Sequence, residues 1–340
     1  MTNTNRQILL LRRPVGAPTS GDFSIVDSPM PVAQDGEVLR RTIYLSLDPY
    51  MRGRMNDARS YATPVALGDV MIGGTVSEVI ESRHPSFATG DFVVGMDGWQ
   101  EYASTPGTGL RKLDPQVAPI STALGVLGMP GLTAYVGLLD IGRAKSGETV
   151  VVSAASGAVG SVVGQIARLK GCRAVGIAGS REKCDYIVRE LGFHAAVNHR
   201  APDLGGALRV ACPNGIDVYF DNVGGAVLAA VLPLINRGAR IPLCGQISQY
   251  NAIEPLPGPN LAPLLINRAL IQGFIVTDHV DRFSAFVTEC GAWLRSGELR
   301  YREDIADGLE HAPQAFIGLL EGRNFGKLLV RVSADSTRQA

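Results

Sequence analysis

Residues 149–170 read TVVVSAASGAVGSVVGQIARLK, and this stretch restricts the fold more than any other. Thr149–Ala154 is a run of apolar and β-branched residues, suited to a strand buried on both faces. Ala158–Lys170 follows with helical spacing. Between them lies Ala154-Ala155-Ser156-Gly157-Ala158-Val159-Gly160-Ser161-Val162-Val163-Gly164. A Gly-rich turn from a strand into a helix is a ready-made anion site. The glycines permit a tight turn and close approach, and the free N–H groups at the helix start face a diphosphate. In that reading Gly157 allows the turn, Ala158 and Val159 lead into the helix, and Gly160 lets its start lie close to the diphosphate. Gly164 permits close packing of helix on sheet.

The alternation continues. Strands are predicted at Arg173–Gly179, Ala195–Asn198, Ile216–Asn222, Gly238–Cys244 and Ile271–Val276. Helices are predicted at Arg181–Leu191, Asp203–Ala211, Ala226–Asn236 and Asp281–Arg295. Repeated β-α units imply an α/β fold with a doubly wound parallel sheet, the Rossmann arrangement for dinucleotides. Residues before about 125 differ. Short apolar runs such as Glu37–Leu47, Met71–Ile80 and Asp91–Val94 are punctuated by Gly and Pro and read as a β-rich module. Arg111–Pro119 reads as a loop leading out of it. Near the end, Gly326–Val332 (GKLLVRV) has a strand pattern, and the polar SADSTRQA after it reads as frayed. With 340 residues, two domains are expected.

The end of the second Rossmann strand discriminates between cofactors. An NAD site places Asp or Glu there, accepting from the ribose 2′-hydroxyl. Here Gly179 stands in that place, followed by Ser180, Arg181 and Lys183. A hydroxyl and cations suit a 2′-phosphate, which a carboxylate would repel. The sequence therefore points to NADPH.

Composition excludes other classes. Lys+Arg and Asp+Glu are both 32, giving no electrostatic case for nucleic acid or an anionic membrane as partner. The apolar run Ile8–Leu11 is too short for a signal peptide or a membrane span. Five scattered cysteines, Cys172, Cys184, Cys212, Cys244 and Cys290, form no CxxC pair and suit reduced thiols in the cytoplasm. The five histidines, His84, His194, His199, His279 and His311, lack ligand spacing, so no metal site is expected.

On residues alone, Tyr250 is a packing or cleft-lining aromatic, Met129 a core filler, and Asn222 a turn or capping residue before Gly224-Gly225. Cys244 is a small buried residue and no nucleophile, and Tyr50 either an apolar lining of a cleft or a polar group in it.

The segments Tyr44–Arg52 (YLSLDPYMR), Gly125–Tyr135 (GVLGMPGLTAY), Ser153–Gly171, Gly179–Lys183, Ile216–Gly225 (IDVYFDNVGG), Cys244–Asn251 (CGQISQYN) and Gly322–Leu328 (GRNFGKL) carry a resemblance across nearly the whole chain. The sequence resembles the zinc-free alkenal and prostaglandin reductase branch of the medium-chain dehydrogenase/reductase superfamily, which includes bacterial NADPH-dependent curcumin reductases. The resemblance implies a GroES-like β-barrel catalytic domain (1–125 plus 306–340) with a Rossmann NADPH-binding domain (126–305) inserted in it, and a homodimer. It implies that Lys183 grips the 2′-phosphate with Ser180 beside it, and that Met129, Thr133 and Asn324 line the nicotinamide end. Gly245, next to Cys244, and Asn222 lie along the cofactor. Tyr250 stands near the substrate carbonyl oxygen and Tyr50 in the substrate cleft.

The family often has Asn-Tyr-Lys where this chain has Asn198-His199-Arg200. His199 replaces the tyrosine as a hydrogen-bond donor to the phosphate, and Arg200 adds charge. Zinc-dependent members carry a Cys and a Gly-His-Glu segment in the first domain. Here Leu67-Gly68-Asp69-Val70-Met71 stands in that region, and the first 171 residues hold no Cys.

The implied chemistry is reduction of the double bond of an α,β-unsaturated ketone or aldehyde. Hydride goes to the β-carbon, and Tyr250 is the candidate donor to the enolate oxygen. A zinc-free NADPH quinone reductase and a low-turnover NADPH-binding sensor are the alternatives.

Overall fold

The structure is a computed structural model and describes residues 4–338. Two compact units divide the chain. One takes Met1–Leu124, Glu303–Asn324 and Leu328–Ala340; the other takes Gly125–Arg302 and Phe325–Lys327.

In the first unit, β1 (Thr4–Leu10) pairs antiparallel with β2 (Phe23–Pro29), so the apolar run at Ile8 is a strand with Ile8 and Leu10 fully buried. The ten-residue β3 (Glu37–Ser46) is followed by a single helical turn, α1 (Tyr50–Arg54). Next come β4 (Thr75–Ser82), β5 (Phe92–Gly95), β6 (Tyr102–Pro106) and β7 (Arg111–Leu113). The stretch expected as a loop at Arg111–Pro119 thus begins with a short strand, which pairs with β5 at the sheet edge. Charged residues on a short strand suit an edge, where they discourage pairing with another chain.

The second unit opens with α2 (Met129–Val136), which runs into a π-turn at Gly137–Ile141. The β-α alternation then proceeds: β8 (Thr149–Ser153), α3 (Gly160–Leu169), β9 (Arg173–Ala178), α4 (Arg181–Arg189), β10 (Ala195–Asn198), α5 (Leu204–Ala211), β11 (Ile216–Phe220), α6 (Gly225–Val231), β12 (Ile235–Leu243), α7 (Ala262–Asn267), β13 (Leu270–Gly273) and α8 (Phe283–Ser296). The strands lie in the order β10-β9-β8-β11-β12-β13, all parallel. This is the Rossmann order, whose direction of winding reverses between β8 and β11. All five residues of β8 are buried, as its uninterrupted apolar run requires of a central strand covered on both faces. Burial of Val150, Val151 and Val152 stabilises the sheet by roughly 1.5–3 kcal/mol each.

Three predicted boundaries shift for local reasons. The helix expected over Ala226–Asn236 ends at Val231 and tightens into a 3-10 turn at Leu232–Leu234, because Pro233 lacks the N–H that would continue it. Strand β12 therefore starts at Ile235, three residues earlier than Gly238. It absorbs the extra length in a register shift between the pairs Ile216–Ile235 and Val218–Arg240, where Gly238 takes a φ of 75°. The strand expected over Ile271–Val276 stops at Gly273, and a 3-10 segment follows at Val276–Arg282.

Finally β14 (Glu303–Asp307), α9 (Ala312–Leu320) and β15 (Lys327–Arg331) complete the first unit's seven-stranded sheet, in the order β14-β15-β3-β4-β5-β7, with β6 also on β3. Antiparallel pairing of β3 with β4, β6 and β15 marks this as the antiparallel-sheet domain. Its main core stacks Trp99 on Phe23 (centroids 5.5 Å apart) and sets Phe316 edge-on at 5.7 Å. The polar segment after β15 is not frayed where it is described. Asp335 accepts from the Tyr44 hydroxyl (2.9 Å), and Arg338 donates to Ser121 and Glu303. Residues 339 and 340 of the expected frayed end lie outside the described residues.

Candidate active site

The turn after β8 is built by mutual exclusion. Ala154 sits at φ 51°, a conformation L residues seldom adopt, and its carbonyl accepts from the Gly157 N–H at 2.9 Å. That same carbonyl fills the space beside Gly160: a Cβ there would begin 2.4 Å from it. Gly160 is thus required by the turn itself as well as by any ligand. Gly157 also forms an isolated parallel bridge with Gly326. A Cβ at Gly164 would lie 1.9 Å from the Phe193 ring, so the close packing read from sequence is onto this aromatic side chain. The first turn of α3 then begins at the C-terminal edge of β8, beside the switch to β11, with Ser161, Val162 and Val163 donating back to the Gly157 and Val159 carbonyls. Ala158 and Val159, half-buried, form its approach. These residues fit the diphosphate of a dinucleotide: a side chain at Gly160 would destroy the cradle.

The next strand ends in a cationic cluster. Ser180 caps α4, its hydroxyl accepting from the Lys183 N–H at 3.2 Å. The cap places Lys183 in the first helical turn. A side chain at Gly179 would begin 3.1 Å from His199 Nε2 and 3.9 Å from Arg200 Nε. Gly179, Ser180, Lys183, His199 and Arg200 are therefore brought together from the ends of β9 and β10. Partial burial, then the charges of Arg200 and Lys183, hold the His199 pKa below the ordinary imidazole value.

The third cluster lies at the ends of β11 and β12, and its organiser is Asp221, which sequence reading passed over. Fully buried, its Oδ1 accepts from the N–H groups of Val223 and Gly224 (both 2.9 Å), from the Tyr219 hydroxyl (2.8 Å) and from Ser153 Oγ (3.3 Å). Its backbone carbonyl accepts from Cys244 N (2.9 Å) and Gly245 N (3.2 Å). One residue thus ties the 222–225 turn to the 244–250 segment. An acid directly after a strand and before Asn-Val-Gly-Gly was the available signal. Asn222 caps no helix: its side-chain amide donates to the Ser153 carbonyl at 2.8 Å, linking the ends of β11 and β8. Ile247 N and Ser248 N donate to Asn222 and Val223 carbonyls. This folds the segment so that a Cβ at Gly245 would begin 3.1 Å from the Tyr250 hydroxyl. Tyr250 therefore presents its phenol beside Gly245 and Asn222, and is no core aromatic. Burial, with Asp221 adding to it, pushes the Cys244 thiol up to about 12, consistent with an inert packing residue.

Met129 is 39% exposed, too open for a core filler. Thr133 is buried, and its hydroxyl donates to the Met129 carbonyl at 2.8 Å, leaving it an acceptor elsewhere. Tyr50 and Asn324 belong to the antiparallel-sheet unit. Tyr50 is half-buried in α1. Burial first, then Asp48 and Tyr61, raise its phenol well above its ordinary value, so it remains a donor. Asn324 is half-buried in the segment between α9 and β15. Among the described residues no three His, Cys, Asp or Glu side chains are grouped to hold a metal ion.

Two family models match, one described as the N-terminal domain of oxidoreductase over residues 6–113, the other as zinc-binding dehydrogenase over residues 158–291. The chain is 53% identical to an NADPH-dependent curcumin reductase of Escherichia coli, over 97% of this chain and 98% of that one. It is 43% identical to an NADP(+)-dependent 2-alkenal reductase of Nicotiana tabacum, over 98% of each. The crystal structure of CurA in complex with NADPH from Vibrio vulnificus superposes with a TM-score of 0.94 at 53% identity, covering 97% of this chain and all of that one. With a Rossmann sheet, an antiparallel-sheet domain and the glycine, cationic and Tyr250 clusters in place, the chain belongs to the medium-chain dehydrogenase/reductase family, in its zinc-free alkenal and prostaglandin reductase branch.

Proposed function

We propose that this protein reduces the carbon–carbon double bond of α,β-unsaturated ketones or aldehydes with NADPH. The observation that carries the reading is the cluster at Gly179: the acid of an NAD site is replaced by a glycine against which His199 and Arg200 lie, with Lys183 in reach. Curcumin and 2-alkenal reductases among its relatives support the substrate class.

Bound NADPH supplies a hydride to the electrophilic β-carbon. The chain's own residues do the rest. Gly157, Ala158, Val159 and Gly160 hold the diphosphate; Ser180, Lys183 and His199, with Gly179 leaving room, hold the 2′-phosphate. Asn222, Cys244 and Gly245 support the cofactor along the sheet ends, and Met129, Thr133 and Asn324 serve the nicotinamide end. Tyr250 donates a hydrogen bond to the carbonyl oxygen as it gains negative charge, work that needs a positioned donor and no metal. Tyr50 contributes to substrate binding. A proton drawn from solvent, by way of water or a tyrosine, then completes the α-carbon.

The GroES-like domain is the catalytic one and the Rossmann domain holds the cofactor. A homodimer forms through the Rossmann sheet: all four residues of β13 at its edge are exposed, and Leu265 and Ile266 on the preceding α7 are 81% and 64% exposed. Ile271→Lys should convert the dimer to monomer in light scattering; a wild-type monomer would refute this. Five free thiols suit the cytoplasm. Among the described residues no helix is long and apolar enough to cross a membrane.

The activity is tested by following NADPH absorbance with an enone panel, a quinone panel and no acceptor. Enone-dependent oxidation yielding a saturated ketone is the expected result. Quinone-only oxidation would make it a quinone reductase, and cofactor binding without turnover would make it a sensor.

A further inference from the structure

His199 lies in the cationic cluster beside Gly179, and its surroundings give it a consequence beyond a fixed contact. Its backbone N–H donates to the Ala178 carbonyl at 3.0 Å, placing the residue beside the end of β9. Nε2 lies 3.1 Å from where a side chain at Gly179 would begin, which is the place an NAD-binding acid occupies. The charged groups acting on the ring are Arg200 from its own turn and Lys183 from α4. Both are cations, and Gly179 and Ser180 complete the wall without charge.

We infer that His199 is a proton-coupled ligand of the 2′-phosphate: the protein takes up a proton on this ring when it binds NADPH, and none when it binds NADH. The inference rests on the assignment of this cluster to the 2′-phosphate. Without ligand, burial and two cations favour the neutral imidazole. A phosphate dianion placed among the same groups reverses the field and favours the imidazolium, which then donates a charge-assisted hydrogen bond. The proton comes from solvent. Because the loaded site has the higher pKa, the gain in affinity is fully present below the pKa of the empty site. It is lost as pH rises through the pKa of the loaded site. The phosphate's own second ionisation, near pH 6, works with the opposite sign, since binding the dianion releases protons. Net uptake above pH 7 therefore reports the histidine.

The test is isothermal titration of the full-length protein with NADP+ and with NAD+, at pH 7.5, in buffers of different ionisation enthalpy. The inference expects roughly half to one proton taken up per NADP+ and none per NAD+, with NADP+ affinity falling about tenfold between pH 6.5 and 8.5. His199→Gln keeps a neutral hydrogen-bonding side chain. It should abolish the uptake and flatten the pH dependence while Lys183 and Arg200 preserve preference for NADP+. Unchanged uptake in His199→Gln would overturn the inference. So would wild-type preference for NADP+ with no uptake, which leaves the 2′-phosphate assignment standing. Equal wild-type affinity for NADP+ and NAD+ would remove that assignment, and the inference with it.

Discussion

Gly179→Asp should turn an NADPH enzyme into an NADH enzyme, and the structure gives the scale. A Cβ at this position would begin 3.1 Å from His199 Nε2, so the ring must give by a few tenths of an ångström, and the carboxylate would project among His199, Arg200 and Lys183. There it occupies the phosphate's counter-charges and repels the phosphate. At about 5 Å and an effective dielectric of about 40, a carboxylate and a dianion repel by about 3 kcal/mol, roughly a hundredfold in affinity. In the other direction, a carboxylate accepting from the ribose 2′-hydroxyl favours NADH by about 1.5–3 kcal/mol. Together, about 4.5–6 kcal/mol, the ratio of kcat/KM for NADPH over NADH should fall by roughly two-thousandfold to twenty-thousandfold. The assay is kcat/KM with each nucleotide at a fixed enone, with dissociation constants from nucleotide fluorescence and a thermal melt to confirm folding. Gly179→Ala separates charge from crowding: it adds only the Cβ, and should change the ratio by less than about 1 kcal/mol equivalent. If Gly179→Asp retains NADPH preference within about tenfold, or Gly179→Ala loses as much, charge at this position does not set cofactor choice.

Lys183→Ala removes one charge-assisted contact to the phosphate and should weaken NADPH binding by about 10- to 100-fold while leaving NADH within about twofold; equal losses would sink its assignment. Tyr250→Phe should lower kcat by about 10- to 100-fold with cofactor affinity unchanged, since the phenol acts on the substrate oxygen; an unaltered rate rejects the donor role. Asp221→Ala strips the buried N–H groups of Val223 and Gly224 and the Tyr219 hydroxyl of their acceptor. It should destabilise the protein by about 2–5 kcal/mol, with a matching fall in Tm and weaker cofactor binding. A melt within 1 °C of wild type would show that the two loops do not depend on it.

The Rossmann half was legible because its signals are local. TVVVSA can be little other than a buried central strand, and Gly157 to Gly164 mark the turn and helix beside it. Boundaries moved where a single residue intervened: Pro233 ended a helix, and Gly238 let β12 start early with a bulge. The antiparallel domain was readable as β-rich but not in its pairing, because contacts such as Leu329 with Ser46 join residues far apart in sequence. In the site, the missing acid at Gly179 was visible in the sequence, whereas its contact with His199 needs two strands brought side by side. Asp221 went unseen because its one signal, an acid directly after a strand and before Asn-Val-Gly-Gly, does not by itself distinguish a solvated loop acid from one buried beneath two loops. Met129 and Asn222 show the converse: both have plain packing or capping readings, and the fold gives one exposure and the other a strand-to-strand hydrogen bond.

The central claim is hydride delivery from NADPH to the β-carbon of an enone, and its most direct test is to follow the hydrogen itself. NADPH carrying deuterium at the transferable position is incubated with the protein and an α,β-unsaturated ketone, and the product is examined by NMR and mass spectrometry. The account predicts a saturated ketone with one deuterium on the β-carbon and the α-hydrogen drawn from solvent. Deuterium on the former carbonyl carbon, in an unsaturated alcohol, would contradict it.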